Sequence, residues 1–210
     1  LAVAWREPLF ALLALYVAAL GVAQLAHLGL GAQYVWHAWP AFNRLSTFVR
    51  APLAMASGLW LARALTLPRR SSRWLDRLTL GLAWALRGSA LLDVLLQQPY
   101  SRALMGWLML AALALIGALL AAAWRRGDDR YLPHIALACL PMLLATVAPL
   151  LSMLELQPAS FLTRYGTSVA ALLQMPTLLY ALSLRSSSQR ETLARQQAMA
   201  TIDPLTGLAL

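Results

Sequence analysis

Three charged side chains lie inside otherwise apolar runs of this sequence: Arg50, Arg87 and Asp93. A charge near the centre of a membrane helix costs about 2.5–3.5 kcal/mol on insertion scales. Such residues therefore pair with one another, face a bundle interior or line a cavity. Arg50 and Asp93 lie five and three residues inside the matching ends of successive, antiparallel apolar runs. At a rise of about 1.5 Å per residue their depths agree within about 3 Å, so a contact between them is expected; the alternative is that both stay hydrated at the interface. Arg87 lies nine residues from the opposite end of its run, about 13 Å deep, where snorkelling is only partly effective. Other chemistries find no support. His27, His37 and His134 lack the spacing of a metal site, and Cys139 is the sole cysteine, within an apolar run. Ser57 precedes Gly58, but no His–nucleophile constellation accompanies it, and no glycine-rich phosphate loop occurs. No catalytic, cofactor-binding or metal-ligating residue is expected in residues 1–210.

The elements that position the three charges follow from composition. The 210 residues are 60% hydrophobic and 12% charged, whereas soluble domains are nearer half apolar and a quarter charged. That excess points to an all-α, polytopic membrane bundle. A crossing helix needs about 20 mostly apolar residues. Six segments qualify: 8–30, 45–67, 78–96, 103–124, 134–154 and 167–184. The third is the weakest because Arg87 and Asp93 interrupt it. Pro141, Pro149 and Pro176 predict bends in the last two. Residues 1–5 read as the tail of an earlier apolar segment, which would make seven helices, and no signal-peptide pattern is present.

All 17 basic residues are arginine, giving a net charge of +9. They punctuate the apolar runs rather than forming a stripe on one face, which argues against a nucleic-acid partner and for a lipid bilayer. With the C-terminal segment placed in the cytoplasm, twelve arginines gather there: 6, 63, 69, 70, 73, 77, 125, 126, 130, 185, 190 and 195. Three, Arg44, Arg102 and Arg164, fall on the other side. This positive-inside bias fixes the expected orientation, and removing the third span would scramble it. Trp5, Trp74, Trp124 and Tyr131 then flank the cytoplasmic face, with Tyr34, Trp36, Trp39, Tyr100, Trp107 and Tyr165 toward the other.

Residues 185–202 form a polar linker with Leu179, Ser186, Leu193 and Ala200 at seven-residue spacing. This is a short coiled-coil seam or a plain solvated helix. Asp203-Pro204-Leu205-Thr206-Gly207-Leu208 follows. As local chemistry it reads as a turn, since Asp before Pro starts one and Gly permits a positive φ. It also resembles the opening of a GGDEF domain, the catalytic domain of bacterial diguanylate cyclases, although the sequence continues Ala209-Leu210 where that opening usually has Asn-Arg. No Gly-Gly-(Asp/Glu)-Glu-Phe segment occurs in the 210 residues.

The membrane region carries a second resemblance. Gly29-Leu-Gly-Ala-Gln33-Tyr34-Val-Trp36, with Trp39-Pro40 and Asn43-Arg44, is similar to the second-helix exit of bacterial seven-transmembrane receptors with diverse intracellular signalling modules. Arg125-Arg126-Gly127 and Leu156-Gln-Pro158-Ala159-Ser160-Phe-Leu-Thr163-Arg164-Tyr165-Gly166 resemble later connections of that family. The resemblance implies a receptor in the bacterial inner membrane, multi-pass, with its C-terminus cytoplasmic and its first helix before Leu1. It further implies that an unidentified extracytoplasmic or intramembrane signal controls cyclic di-GMP synthesis from GTP by a following GGDEF domain, which would need Mg²⁺ and act as a homodimer through the linker. The alternatives are a degenerate, non-catalytic GGDEF output or a small-molecule transporter. The latter would need discontinuous helices or a midplane site in repeated halves.

Overall fold

The computed structural model describes residues 8–66, 72–96, 99–126, 132–158 and 160–200, without the side chains of 8, 40, 41, 43–50, 96, 99, 102 and 189–200. These residues form a helical membrane bundle with no strand among them. The order is α1 (Pro8–His27), a π-helical turn (Gly31–Val35), α2 (Pro40–Thr66), α3 (Arg73–Leu96), α4 (Pro99–Arg126), α5 (Leu132–Met153) and α6 (Phe161–Ala200). Three helices begin on proline, whose missing N–H is no loss in a first turn and whose fixed φ suits a helix start.

Successive helices pack side by side, and α1 closes against α6. Contact between α2 and α4 places α3 outside the ring made by the other five. The core joins Leu59, Leu86, Leu119, Ile135, Leu178 and Leu182. Ala56, Ala83, Ala112 and Ala181 are fully buried, so backbones approach closely, as small residues allow in membrane bundles. Leu91, Leu95, Leu144 and Leu172 face outward, as a lipid-facing surface requires. Exposed Trp74 and Trp124 lie at one end of the bundle; Tyr34, Trp39, Tyr100 and Tyr165 lie at the other.

Among the described residues, five helices are long and apolar enough to cross a membrane: Leu9–His27, Arg73–Leu95, Ala103–Arg126, Leu132–Met153 and Phe161–Ser188. The interrupted segment 78–96 lies on α3, which holds one of them. The segment 45–67 lies on α2, where the side chains of 45–50 are outside the described residues. It carries Arg44, Arg50 and Arg63 and packs against α1, α3 and α4.

Local chemistry explains several boundaries. The chain leaves α1 through the π-turn, where the Trp36 N–H donates to the Gly31 carbonyl at 2.9 Å. The Trp36 indole lies across Gly31, so a Cβ there would overlap the ring. The Trp36 ring also meets Phe42 edge-on at 5.4 Å. At the end of α5, Leu156 N–H donates to Leu151 O at 3.0 Å and Glu155 N–H to Ser152 O at 3.1 Å. This is a Schellman cap, with Glu155 in the left-handed position at φ 62°. Pro52, Pro141, Pro149 and Pro176 all sit inside continuous helices. The apolar segment 167–184 and the polar segment 185–202 share one helix, α6, of 40 residues. Nothing between Pro176 and Ala200 breaks it: that stretch holds no further Pro or Gly.

Candidate functional site

Five helices, α1, α2, α4, α5 and α6, enclose a cavity of about 470 Å³ at the centre of the ring. Its walls are mostly apolar, and Met55, Met105, Met109, Met142 and Met153 supply five of the seven methionines of the sequence. Methionine is unbranched and polarisable, so such a wall adapts to the shape of what fills it. No Asp, Glu or Arg lines it.

Three of the polar side chains that line it, Tyr16, Gln24 and Gln174, are hydrogen-bonded between helices. Tyr16 Oη of α1 donates to Gln174 Oε1 of α6 at 3.0 Å, both buried. Ser168 Oγ of α6 donates to Gln24 Oε1 of α1 at 2.7 Å. A Cβ on Gly58 would stand 3.3 Å from the Tyr16 ring, so this glycine lets α2 approach the tyrosine. The two pairs tie α1 to α6 across 158 and 144 residues of sequence. Toward the end of the bundle marked by His27, a second, more open cavity of about 590 Å³ adjoins the first and shares His27 and Pro149 with it. Its other walls are Ser152, Ser160, Thr163, Arg164 and the rings of Phe161 and Tyr165.

The charges expected to matter sit outside this cavity. Asp93 is fully buried near the end of α3, and Ser101 Oγ of α4 donates to its Oδ1. Its Oδ2 has no hydrogen-bond partner. The carboxylate thus stands beside the first turn of α4, a favourable place for a negative charge. Arg50 lies on α2, which runs beside α3; its side chain lies outside the described residues, and the partner the structure supplies for Asp93 is Ser101. Arg87 is held between two indoles, its Cζ 3.9 Å from the Trp60 ring centroid and 5.0 Å from that of Trp84. Helical side chains lean toward the N-terminus, which brings Arg87 over the tryptophan three residues earlier. The terminal motif Asp203, Pro204, Leu205, Thr206, Gly207 and Leu208 lies outside the described residues.

Sequence reasoning missed the arrangement at the other end of the bundle. Arg63 of α2, counted only among the arginines of the cytoplasmic side, forms a two-pronged ion pair with Asp76 of α3, Nε–Oδ1 2.6 Å and Nη2–Oδ2 3.1 Å. Arg126 Nη2 of α4 donates to the Thr66 carbonyl at 3.0 Å, closing the C-terminus of α2. Arg185, counted in the same way, is buried. The polar cavity pairs were missed too. A signal existed: Gln24 and Gln174 are the only amide side chains within the six expected spans. No group of His, Cys, Asp or Glu suited to a metal ion occurs among the described residues.

Among curated proteins and among solved structures, nothing matches the chain. The sequence profile described as 7TM diverse intracellular signalling matches residues 1–185. That match covers the whole ring of helices and the cavity inside it, and the chain belongs to the 7TM diverse intracellular signalling family of membrane proteins.

Proposed function

We propose that this chain is the receptor region of a bacterial inner-membrane signalling protein, and that it controls a diguanylate cyclase joined to the end of α6. The observation that carries the reading is α6 itself. It presents Thr167 and Gln174 to the central cavity and runs on as one helix to Ala200. Its 40 residues make it about 60 Å long, roughly twice the hydrocarbon thickness of a bilayer. A shift or rotation of α6 at the cavity would be carried to residues beyond the membrane as a rigid-body movement. The positive-inside pattern of arginines supports a cytoplasmic end for that extension. The resemblance of Asp203–Leu208 to a GGDEF opening supports cyclic di-GMP synthesis from two GTP molecules with Mg²⁺ as the output, in a homodimer formed through the linker.

The test is a measurement of cyclic di-GMP in cells and in purified membranes. A natural chain extended past Leu210 raises the pool and converts GTP in vitro, whereas residues 1–210 alone do not. Unchanged cyclic di-GMP with the extended chain, and no product from GTP and Mg²⁺, would overturn the cyclase assignment. Cysteine placed at Gln33 in a Cys139→Ala background should react with an impermeant thiol reagent in intact cells. Labelling at Ser72 instead would invert the orientation.

A further inference from the structure

Protein interiors pack densely, and voids much larger than a water molecule are few. A central cavity of about 470 Å³ falls within the roughly 300–1,000 Å³ of small-molecule sites. Its chemistry is divided along its length. Leu65 of α2 and Leu120 of α4 line its far reach. Several deep polar groups are already engaged, Tyr16 with Gln174, Gln24 with Ser168 and Thr146 with the Met142 carbonyl. A ligand atom in this part thus meets mostly methionine, leucine and other apolar side chains. The adjoining cavity offers the reverse. It holds the Arg164 guanidinium, His27, and the hydroxyls of Ser160 and Thr163, and no carboxylate lines it. Arg164 lies over the Tyr165 ring at 5.5 Å, and no carboxylate pairs with it among the described residues.

We propose that the two adjoining cavities form one site for a long-chain carboxylic acid, its tail among the methionines of the ring and its carboxylate at Arg164 and His27. The identity of the signal thereby deepens the receptor reading and rests on it only for the claim that binding is a signal. Length agrees with the assignment. From Met105 to Leu120 on α4 the lining extends 15 residues, about 22 Å of helix. With C–C bonds of about 1.5 Å, an extended chain of roughly 16 carbons advances a similar distance. The head belongs at Arg164 because a carboxylate buried in the uncharged interior would lose its hydration without a cation to replace it. At Arg164 it gains a charge-assisted hydrogen bond instead.

The experiment uses the full natural protein in nanodiscs and a hexadecanoic acid probe carrying a diazirine near the chain end. Photolabelling should fall on cavity-lining residues such as Ile116, Leu120 or Leu65 when mapped by mass spectrometry. Unlabelled hexadecanoic acid should displace the probe, and its methyl ester should do so much less well. Each methylene removed from the competitor should weaken it about fourfold, in line with the burial of one CH₂. Arg164→Gln alters an exposed side chain, so folding is retained; it should weaken the acid roughly tenfold and leave the ester unchanged. Label confined to the lipid-facing Leu144 and Leu172 would overturn the proposal. Equal competition by acid and ester, or no dependence on chain length in the unaltered protein, would do the same. Any of these failures would leave the transmission through α6 standing, because that reading is tested by output and not by ligand.

Discussion

The ion pair between Arg63 and Asp76 should hold α2 to α3 with an energy that a double-mutant cycle can isolate. The side chains are 27% and 9% exposed, so the pair lies between two regimes. Exposed pairs contribute about 0.2–1 kcal/mol, and breaking a buried one costs about 3–5 kcal/mol. Two parallel N–H···O bonds, at 2.6 and 3.1 Å, put the geometry at the strong end. Arg63 keeps about a quarter of its side chain in contact with solvent, which lowers the cost of Asp76→Ala to about 2–3 kcal/mol. Part of that is not the pair. Asp76 also sits in the first turn of α3, where a carboxylate contributes about 0.3–1 kcal/mol through the helix dipole. Subtracting it leaves a coupling of about 1–2.5 kcal/mol. Reversible unfolding in mixed micelles, measured for Asp76→Ala, Arg63→Gln and the double variant, gives the coupling directly. Raising salt from 0.1 to 1 M shortens the screening length from about 10 to about 3 Å, yet should remove less than half of it. A coupling below about 0.5 kcal/mol, or one abolished by salt, would show that the two side chains behave as a solvated surface pair.

Three further outcomes follow from the geometry. Arg87→Gln and Trp60→Leu should couple by about 1–2 kcal/mol in the same unfolding assay, as expected of a desolvated cation over an indole at 3.9 Å; additive effects would dismiss the stacking. Glu155→Gly should stabilise the bundle by about 1 kcal/mol, since glycine adopts the left-handed cap at φ 62° without the cost to a side chain; a loss of stability would mean that Glu155 makes a compensating interaction. Gly31→Ala should destabilise by about 1–3 kcal/mol, because the new methyl overlaps the Trp36 ring, and Trp36→Leu should relieve most of that effect. Equal damage in both backgrounds would place the strain in the backbone instead.

The helical character of the bundle and its packing in series were legible because apolar runs of membrane length are a strong signal. The helix starts at Pro8, Pro40 and Pro99 fall before the apolar segments they lead into, except at Pro8, where the two coincide. A helix ends where backbone chemistry changes, not where apolarity does. The same reason merges 167–184 with the polar linker in α6. The site was harder to read. Tyr16 and Gln174 are 158 residues apart, and no local period links them. Attention to full charges passed over the amides, each of which accepts a hydrogen bond from a hydroxyl on another helix. Trp84 is one helical turn from Arg87 and could have been anticipated, but Trp60 comes from another helix. The pairing of Arg63 was not legible because its partner, Asp76, lies across a connection whose geometry the sequence does not specify.

The central claim is that α6 carries the state of the cavity to an output beyond the membrane. Its most direct test is a series of one to seven residues inserted after Ser187, in a natural chain extended past Leu210, with cyclic di-GMP production as the readout. Each added residue rotates everything downstream by about 100° and advances it by about 1.5 Å. A rigid transmitting helix predicts output that varies with helical phase: strongly altered by two inserted residues, about 200° out of register, and largely restored by seven, close to two full turns. Output unchanged by every insertion would show that residues 189–200 tether the output without instructing it, and would contradict the account.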